Sequence, residues 1–449
     1  ASTSQRKALA GMPHFAIIIT TNALRVGMPS HSEIDTSQRR FIMKLALRNR
    51  LFAFISLSRI FNILGSSIYN IVFIVFASSM PQPKFAVGIA NFIVLIPTFF
   101  TVFVGMQADK TRQKARWLIH LGYLQAFLFI LVALLTKSAS YLAFATVCFL
   151  NIFSDIISDY RSGLQMPILQ KNIEEKDLME AYSFTQLLTF LGNFAGQALG
   201  VWLLSISQQN FAMVALINAL CFLLSSSILY LIRQKLTHDA PAVKEQKLPF
   251  KTQIKDLYQN VQMIFEQEKI GNFLLVLLQV LLLNALAGSI MGLYNLYLLD
   301  HPFWGLNLSQ SLLIIESCTV IGIISASAFS NDYFSKLSLM RLVIWCSLAL
   351  LLLGLSNLLQ APALLAIFFL TFLMYISGKI NPKINSMLLS KLPSEVLAQT
   401  SNFLTMLFTF SIPLGSMIFT SLGLWNMGSA WLVFSLLGGV CLLLSLKNN

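Results

Sequence analysis

Apolar residues fill the chain in long unbroken stretches that begin near residue 51 and recur to the C-terminus, each ended by a short polar or basic turn. A helix needs roughly 20 such residues to cross the hydrocarbon core of a bilayer. Helices are the spanning element this pattern predicts, because lipid offers no partner for an unpaired backbone N–H or C=O. Spans can be placed near 51–79, 85–108, 115–135, 140–168, 179–205 and 210–232. A second set falls near 271–299, 306–330, 337–357, 361–389, 396–422 and 427–446. The expected fold class is an all-α membrane protein with twelve transmembrane helices in two six-helix halves, 43–232 and 271–449.

Composition agrees: 56% of residues are hydrophobic and 11% charged, which excludes an ordinary soluble domain. The net charge of +13 raises the question of nucleic acid. The placement of the cations answers it, since they gather in loops between spans. Lys44, Arg48, Arg50, the 110–116 cluster, Lys171, Lys176, Lys336, Arg341, Lys391 and Lys447 all fall on one side, with the central linker. The other side holds little beyond Lys84 and Lys137. Positive loops mark the cytoplasmic face, so both termini are expected in the cytoplasm, the lipid bilayer is a partner and nucleic acid is not.

Residues 1–42 do not fit the spanning pattern. Phe15-Ala16-Ile17-Ile18-Ile19 is too short to cross, and Met43-Lys44 looks like a natural start. The segment reads as a flexible leader or expression-derived sequence without a role in transport. The long polar connection, 233–270, carries Ile254, Leu257, Tyr258, Val261, Ile264 and Phe265 at helical spacing. It predicts a cytoplasmic linker with an amphipathic helix on the membrane surface, either a gating element or a tether. Cys148, Cys221, Cys318, Cys346 and Cys441 each sit in an apolar run without metal-like spacing and read as small buried hydrophobes.

The halves echo each other at a shift of about 220 residues. Gln170-Lys171-Asn172-Ile173-Glu174-Glu175 corresponds to Ser390-Lys391-Leu392-Pro393-Ser394-Glu395, at the end of the fourth span of each half. After span 2 comes Gly105-Met106-Gln107-Ala108-Asp109-Lys110-Thr111-Arg112-Gln113-Lys114, weakly repeated as Ala328 to Asp332 before Lys336. Gly105 and Asp109 share a helix face, which predicts close approach of a neighbouring helix at the glycine and a cap or clamp at the carboxylate. This run resembles the loop between helices 2 and 3 of the major facilitator superfamily, Gly-x-x-x-Asp-Arg/Lys-x-x-Arg-Arg/Lys. Gly105, Asp109, Lys110 and Lys114 match, while Arg112 falls one place early. The Glu-Glu-x-x-Leu step after span 4 and Ile412-Pro413-Leu414-Gly415 are similar to the macrolide-efflux and siderophore-exporter branch. The resemblance covers roughly 47–446 and implies two halves that rock around a central site lined by spans 1, 4, 7 and 10.

Ionisable residues inside spans are costly and point to function. Seven stand out: Arg59, Asp155, Asp159, Arg161, Glu316, Lys379 and Lys383. Six of them belong to spans 1, 4 and 10, which the resemblance places around the cavity. Asp155 and Asp159 share a helix face, as do Lys379 and Lys383, and both pairs lie toward the basic-loop side. The expectation is one acid–base layer acting as an inter-half gate, a substrate contact or a proton carrier. Glu316, set among Ile314, Ile315, Ser317 and Cys318, is a proton-coupling candidate beside Asp155 and Asp159; the competing reading is a glutamate bonded to a neighbouring helix. Asn62, Ser66 and Asn70 continue the Arg59 face, and Asn284 and Asn295 polarise span 7.

Proton-coupled relatives often carry Arg-x-x-x-Gly early in span 4. This chain has Phe153 there, so proton antiport does not transfer from that motif. There is no Gly-rich phosphate loop with Lys-Ser/Thr for ATP-driven pumping, and the five histidines form no metal set, so neither enzyme activity nor a cofactor is expected. The resemblance implies a secondary transporter in a bacterial-type cell membrane, acting as a monomer. Its expected work is export of an amphipathic small molecule by proton antiport. The alternative is import or facilitated passage of a polar metabolite such as an amino acid, peptide or sugar.

Overall fold

The computed structural model describes residues 48–137, 140–174, 177–237, 273–329, 332–391 and 394–447. The leader 1–42 and the amphipathic pattern at 254–265 lie outside the described residues. Twelve long helices follow in order: α1 (Arg50–Ser78), α2 (Pro83–Lys110), α3 (Lys114–Leu135), α4 (Tyr141–Asn172), α5 (Leu178–Ile206) and α6 (Phe211–Leu231). The second six are α7 (Phe273–Asp300), α8 (Leu308–Ala328), α9 (Leu339–Leu358), α10 (Ala363–Lys391), α11 (Ser394–Trp425) and α12 (Met427–Lys447). No strand occurs among the described residues. Eleven of these helices are long and apolar enough to cross a membrane; in α11 the described apolar stretch is Phe410–Trp425.

Short polar residues set the starts. Asn49 accepts a hydrogen bond from the Phe52 backbone N–H at 3.1 Å, and Ser140, Asn210 and Ser338 cap α4, α6 and α9 in the same way. Asn307 and Gln310 form a reciprocal capping box on α8. Pro83 opens α2, where its missing N–H costs nothing.

Helix pairing repeats from one half to the other. In the first half α1 packs on α5, α3 on α6 and α2 on α4; in the second α7 packs on α11, α9 on α12 and α8 on α10. The corresponding pairs use glycine to bring backbones together. A Cβ at Gly200 would lie 2.3 Å from the Ile68 carbonyl oxygen on α1, and one at Gly415 would lie 2.1 Å from the Ala285 carbonyl oxygen on α7. Such small-residue contacts hold helices in lipid, where water does not drive association.

The halves meet where α8 packs on α5 and α1, and at the ends of α2, α7 and α11 away from the basic loops, here called the outer side. Asn91 donates to the Gly292 carbonyl at 3.0 Å and accepts from Asn295 Nδ2 at 2.7 Å. Lys84 pairs with Asp300 at 2.5 Å, Leu424 packs against Gly88, and Phe99 faces Phe410 near mid-helix. These two hydrogen bonds and this ion pair tie the halves together on the outer side.

Candidate functional site

The two arginines of the first half are held by neutral groups. Arg59 on α1 donates from Nη1 to Gln165 Oε1 of α4 at 2.9 Å and from Nη2 to Thr189 Oγ1 of α5 at 3.3 Å. Its Nε is buried and has no partner. Arg161 on α4 is 2% exposed and points into the bundle. It donates to the Leu118 carbonyl at 3.2 Å, Gln125 Oε1 at 2.7 Å, Ser225 Oγ at 3.3 Å and Asn62 Oδ1. Gly122 leaves the guanidinium room, since a Cβ there would lie 2.7 Å from Nη2. Ser66 returns its hydroxyl to its own helix at the Asn62 and Ile63 carbonyls, and Asn70 is exposed. Arg161 is thus an internal tie between α1, α3, α4 and α6, apart from any acid–base layer.

Asp155 and Asp159 point to another side of α4. Thr101 of α2 donates to Asp159 at 3.1 Å, and Asn151 reaches Asp155 at 3.5 Å. Glu316 on α8 is half-buried and makes no hydrogen bond or ion pair among the described residues. None of the three carboxylates pairs with a cation there.

The lysines of α10 have other work. Lys379 forms an ion pair with Asp332 at 2.9 Å and donates to the Phe329 carbonyl at 2.7 Å and Ser335 Oγ at 2.9 Å, with its ammonium 4.7 Å from the Tyr375 ring centre. Lys383 donates to the Ser335 and Leu337 carbonyls. Asp332 also accepts from the Ser335 backbone N–H and from Tyr375 Oη, capping the single turn Tyr333–Lys336. Burial of Asp332 acts to raise its carboxyl pKa, but the Ser335 and Lys379 hydrogen bonds with the Lys379 charge outweigh it and hold the group below the usual range. The expected bridge from Asp155 or Asp159 to Lys379 or Lys383 is therefore replaced in this conformation. The reason is local: the end of α8 leaves open carbonyls, and the long lysine stems reach them.

The loop after α2 also departs from expectation. A Cβ at Gly105 would meet nothing within 4 Å; the tight approach there is Gly163 of α4 to Ala108, at 2.9 Å. Lys110 and Arg112 are exposed, while Lys114 is buried and donates to the Ala108 carbonyl at 2.5 Å. The side chain of Asp109 lies outside the description. On α7, Asn284 is buried and donates to its own helix at the Val280 carbonyl. Asn295 belongs to the outer seal. Gln165, Thr189, Gln125, Thr101, Asn91 and Tyr375 were not singled out from the sequence, although Gln165 stands one turn from Arg161 and polar residues in spans are the signal to follow.

The family described as the Major Facilitator Superfamily matches residues 55–416. No curated protein matches the sequence. Among solved structures, the chain is similar to the POT family transporter PepTSo, with TM-score 0.62, 13% identity and coverage of 89% of this chain and 97% of that one. It is similar to the nucleoside transporter NupG, with TM-score 0.53, 17% identity and coverage of 90% and 98%. It also matches a bacterial homolog of the human lysosomal transporter Spinster in an inward-facing and occupied conformation, with TM-score 0.59, 11% identity and coverage of 90% and 97%. At these identities the likeness is one of fold.

Proposed function

This chain belongs to the Major Facilitator Superfamily, a group of transporters and not enzymes, and we propose that it exports an amphipathic small molecule by proton antiport through alternating access. The observation that carries proton coupling is that Asp155, Asp159 and Glu316 stand inside the spans, in both halves, without a cation partner among the described residues. A carboxylate left charged in such a place costs several kcal/mol, roughly, and taking up a proton removes that cost. Alternating access is supported by the two paired six-helix halves and by the outer-side bonds that join them in this conformation. With the positive loops in the cytoplasm, both termini lie inside. Export itself rests on the likeness of 47–446 to the efflux branch.

Import of a polar metabolite is the second reading, favoured by the polar wall of Arg59, Gln165 and Thr189. The experiment is transport in proteoliposomes under an imposed pH gradient, with lipophilic cations, macrolides and zwitterionic metabolites as cargo. Gradient-driven flux that is lost in Glu316→Gln or Asp155→Asn supports proton coupling and identifies the carrier. Flux indifferent to the gradient in the unchanged protein refutes it.

A further inference from the structure

The polar wall between α1, α4 and α5 has one chemical sense. An amide side chain offers one acceptor and one donor end, and its orientation is set by whichever end a neighbour engages. The Gln165 oxygen is engaged by Arg59, and the Asn62 oxygen by Arg161. The Thr189 hydroxyl accepts from Arg59 and spends its own proton on the Thr185 carbonyl at 2.9 Å. The side-chain oxygens of Gln165, Asn62 and Thr189 each already accept one hydrogen bond from a protein donor. The groups of these side chains left without any partner are donors: Arg59 Nε, which is buried, and the N–H groups of Gln165 and Asn62.

Charge points the same way. Arg59 brings a guanidinium to the wall and Arg161 lies buried behind it, and neither has a carboxylate partner among the described residues. Asp159, two positions before Arg161 and therefore roughly opposite on the helix, turns to Thr101 of α2. The wall is thus cationic and rich in donors, on a helix whose acids face elsewhere.

We infer that this wall is the subsite for an anionic group of the transported molecule, a carboxylate or another oxyanion, so that the cargo is an amphipathic organic acid. The inference rests on the transporter reading and sharpens it. Arg59 supplies the charge, Gln165 and Asn62 supply fixed donors, and Arg161 acts as a positioning residue that holds the Asn62 amide in its donating orientation. A neutral isostere of the same size offers Arg59 no charge, and an amide also turns a donor toward donors, which is the basis for selecting against it.

The test is ligand-dependent thermal unfolding of the purified full chain with matched probes: benzoate, N-acetylphenylalanine and phenylphosphonate, each against its amide or ester. At least one acid is expected to stabilise the protein, with its neutral partner about ten- to a hundredfold weaker. Arg59→Gln is expected to abolish the preference and Arg59→Lys to keep part of it. Gln165→Leu retains both guanidiniums and guards against a folding failure of the first variant; it should weaken the acid several-fold and leave the neutral probe unchanged. Equal response to acid and neutral probes, no response to any acid, or a preference that survives Arg59→Gln overturns the subsite. Flux of the same probes into proteoliposomes separates the two proposals. Acid-selective stabilisation without flux keeps the subsite and counts against transport, whereas equal flux of acid and amide keeps transport and removes the subsite.

Discussion

Replacing Asn91 with leucine deletes both hydrogen bonds of its amide across the halves, to the Gly292 carbonyl and from Asn295 Nδ2, at a position only 5% exposed. Side-chain hydrogen bonds between membrane helices are worth about 0.6 kcal/mol on average and up to about 1.7. Losing two therefore weakens the outer seal by about 1–3 kcal/mol, a shift of roughly 5- to 150-fold in the balance of the two states. Leucine keeps the volume, so packing changes contribute little. The assay is a pulsed-dipolar distance measurement between nitroxides at Lys137 and Gln360, both exposed at outer loops of opposite halves. All five native cysteines are buried, which leaves the introduced pair as the reactive ones. A longer-distance population should grow in Asn91→Leu. Part of the effect should revert when Asn295→Leu is added, because the orphaned donor then disappears too. Distance distributions identical to the unchanged protein would refute the assignment of these amides to the seal.

Three further outcomes follow from the packing and charges. Because the folded Asp332 carboxyl is held low, its ion pair with Lys379 stabilises fully above the unfolded value of about 3.9 and is lost as pH falls through the folded one. Asp332→Asn should thus lower the unfolding temperature near neutral pH, and the gap should close in strong acid; an unchanged gap there contradicts the pairing. Gly200→Ala places a methyl against the Ile68 carbonyl and should cost about 1–3 kcal/mol by overpacking, read as a lower melting temperature; an unaltered melt would mean α1 and α5 separate without cost. Arg161→Met strands the Asn62, Gln125 and Ser225 acceptors inside the first half. It should sharply reduce folded yield by size-exclusion profile, while normal yield would show the tie to be dispensable.

Much of the architecture was legible from apolar run length alone, because a spanning helix must carry its apolar stretch and satisfy its backbone within itself. The predicted spans 51–79 and 115–135 differ from α1 and α3 by a single residue at each altered end. The partners of the charges were less legible. Helical spacing places Lys379 and Lys383 on one face, yet does not say that the end of α8 presents carbonyls within reach of their stems. Arg161 looked like a cavity residue because it shares a span with Asp155 and Asp159. Its face is decided by Gly122 on another helix, a vacancy of volume that no pattern within α4 records. Gly105 was read for close packing, whereas Gly163 on α4 makes the tight contact, with Ala108.

The outer seal combines two kinds of bond with different responses to the surrounding medium. Lys84 and Asp300 keep 62% and 48% of their side-chain surface in solvent, so their attraction is worth at most about 1 kcal/mol and fades with ionic strength. The Asn91–Asn295 pair is uncharged and buried, beyond the reach of salt and protons alike. Brine on the outer face would loosen only the rim and leave the inner latch fastened. Ionic strength should then alter how quickly the outer mouth captures or releases charged solutes far more than how often the gate opens.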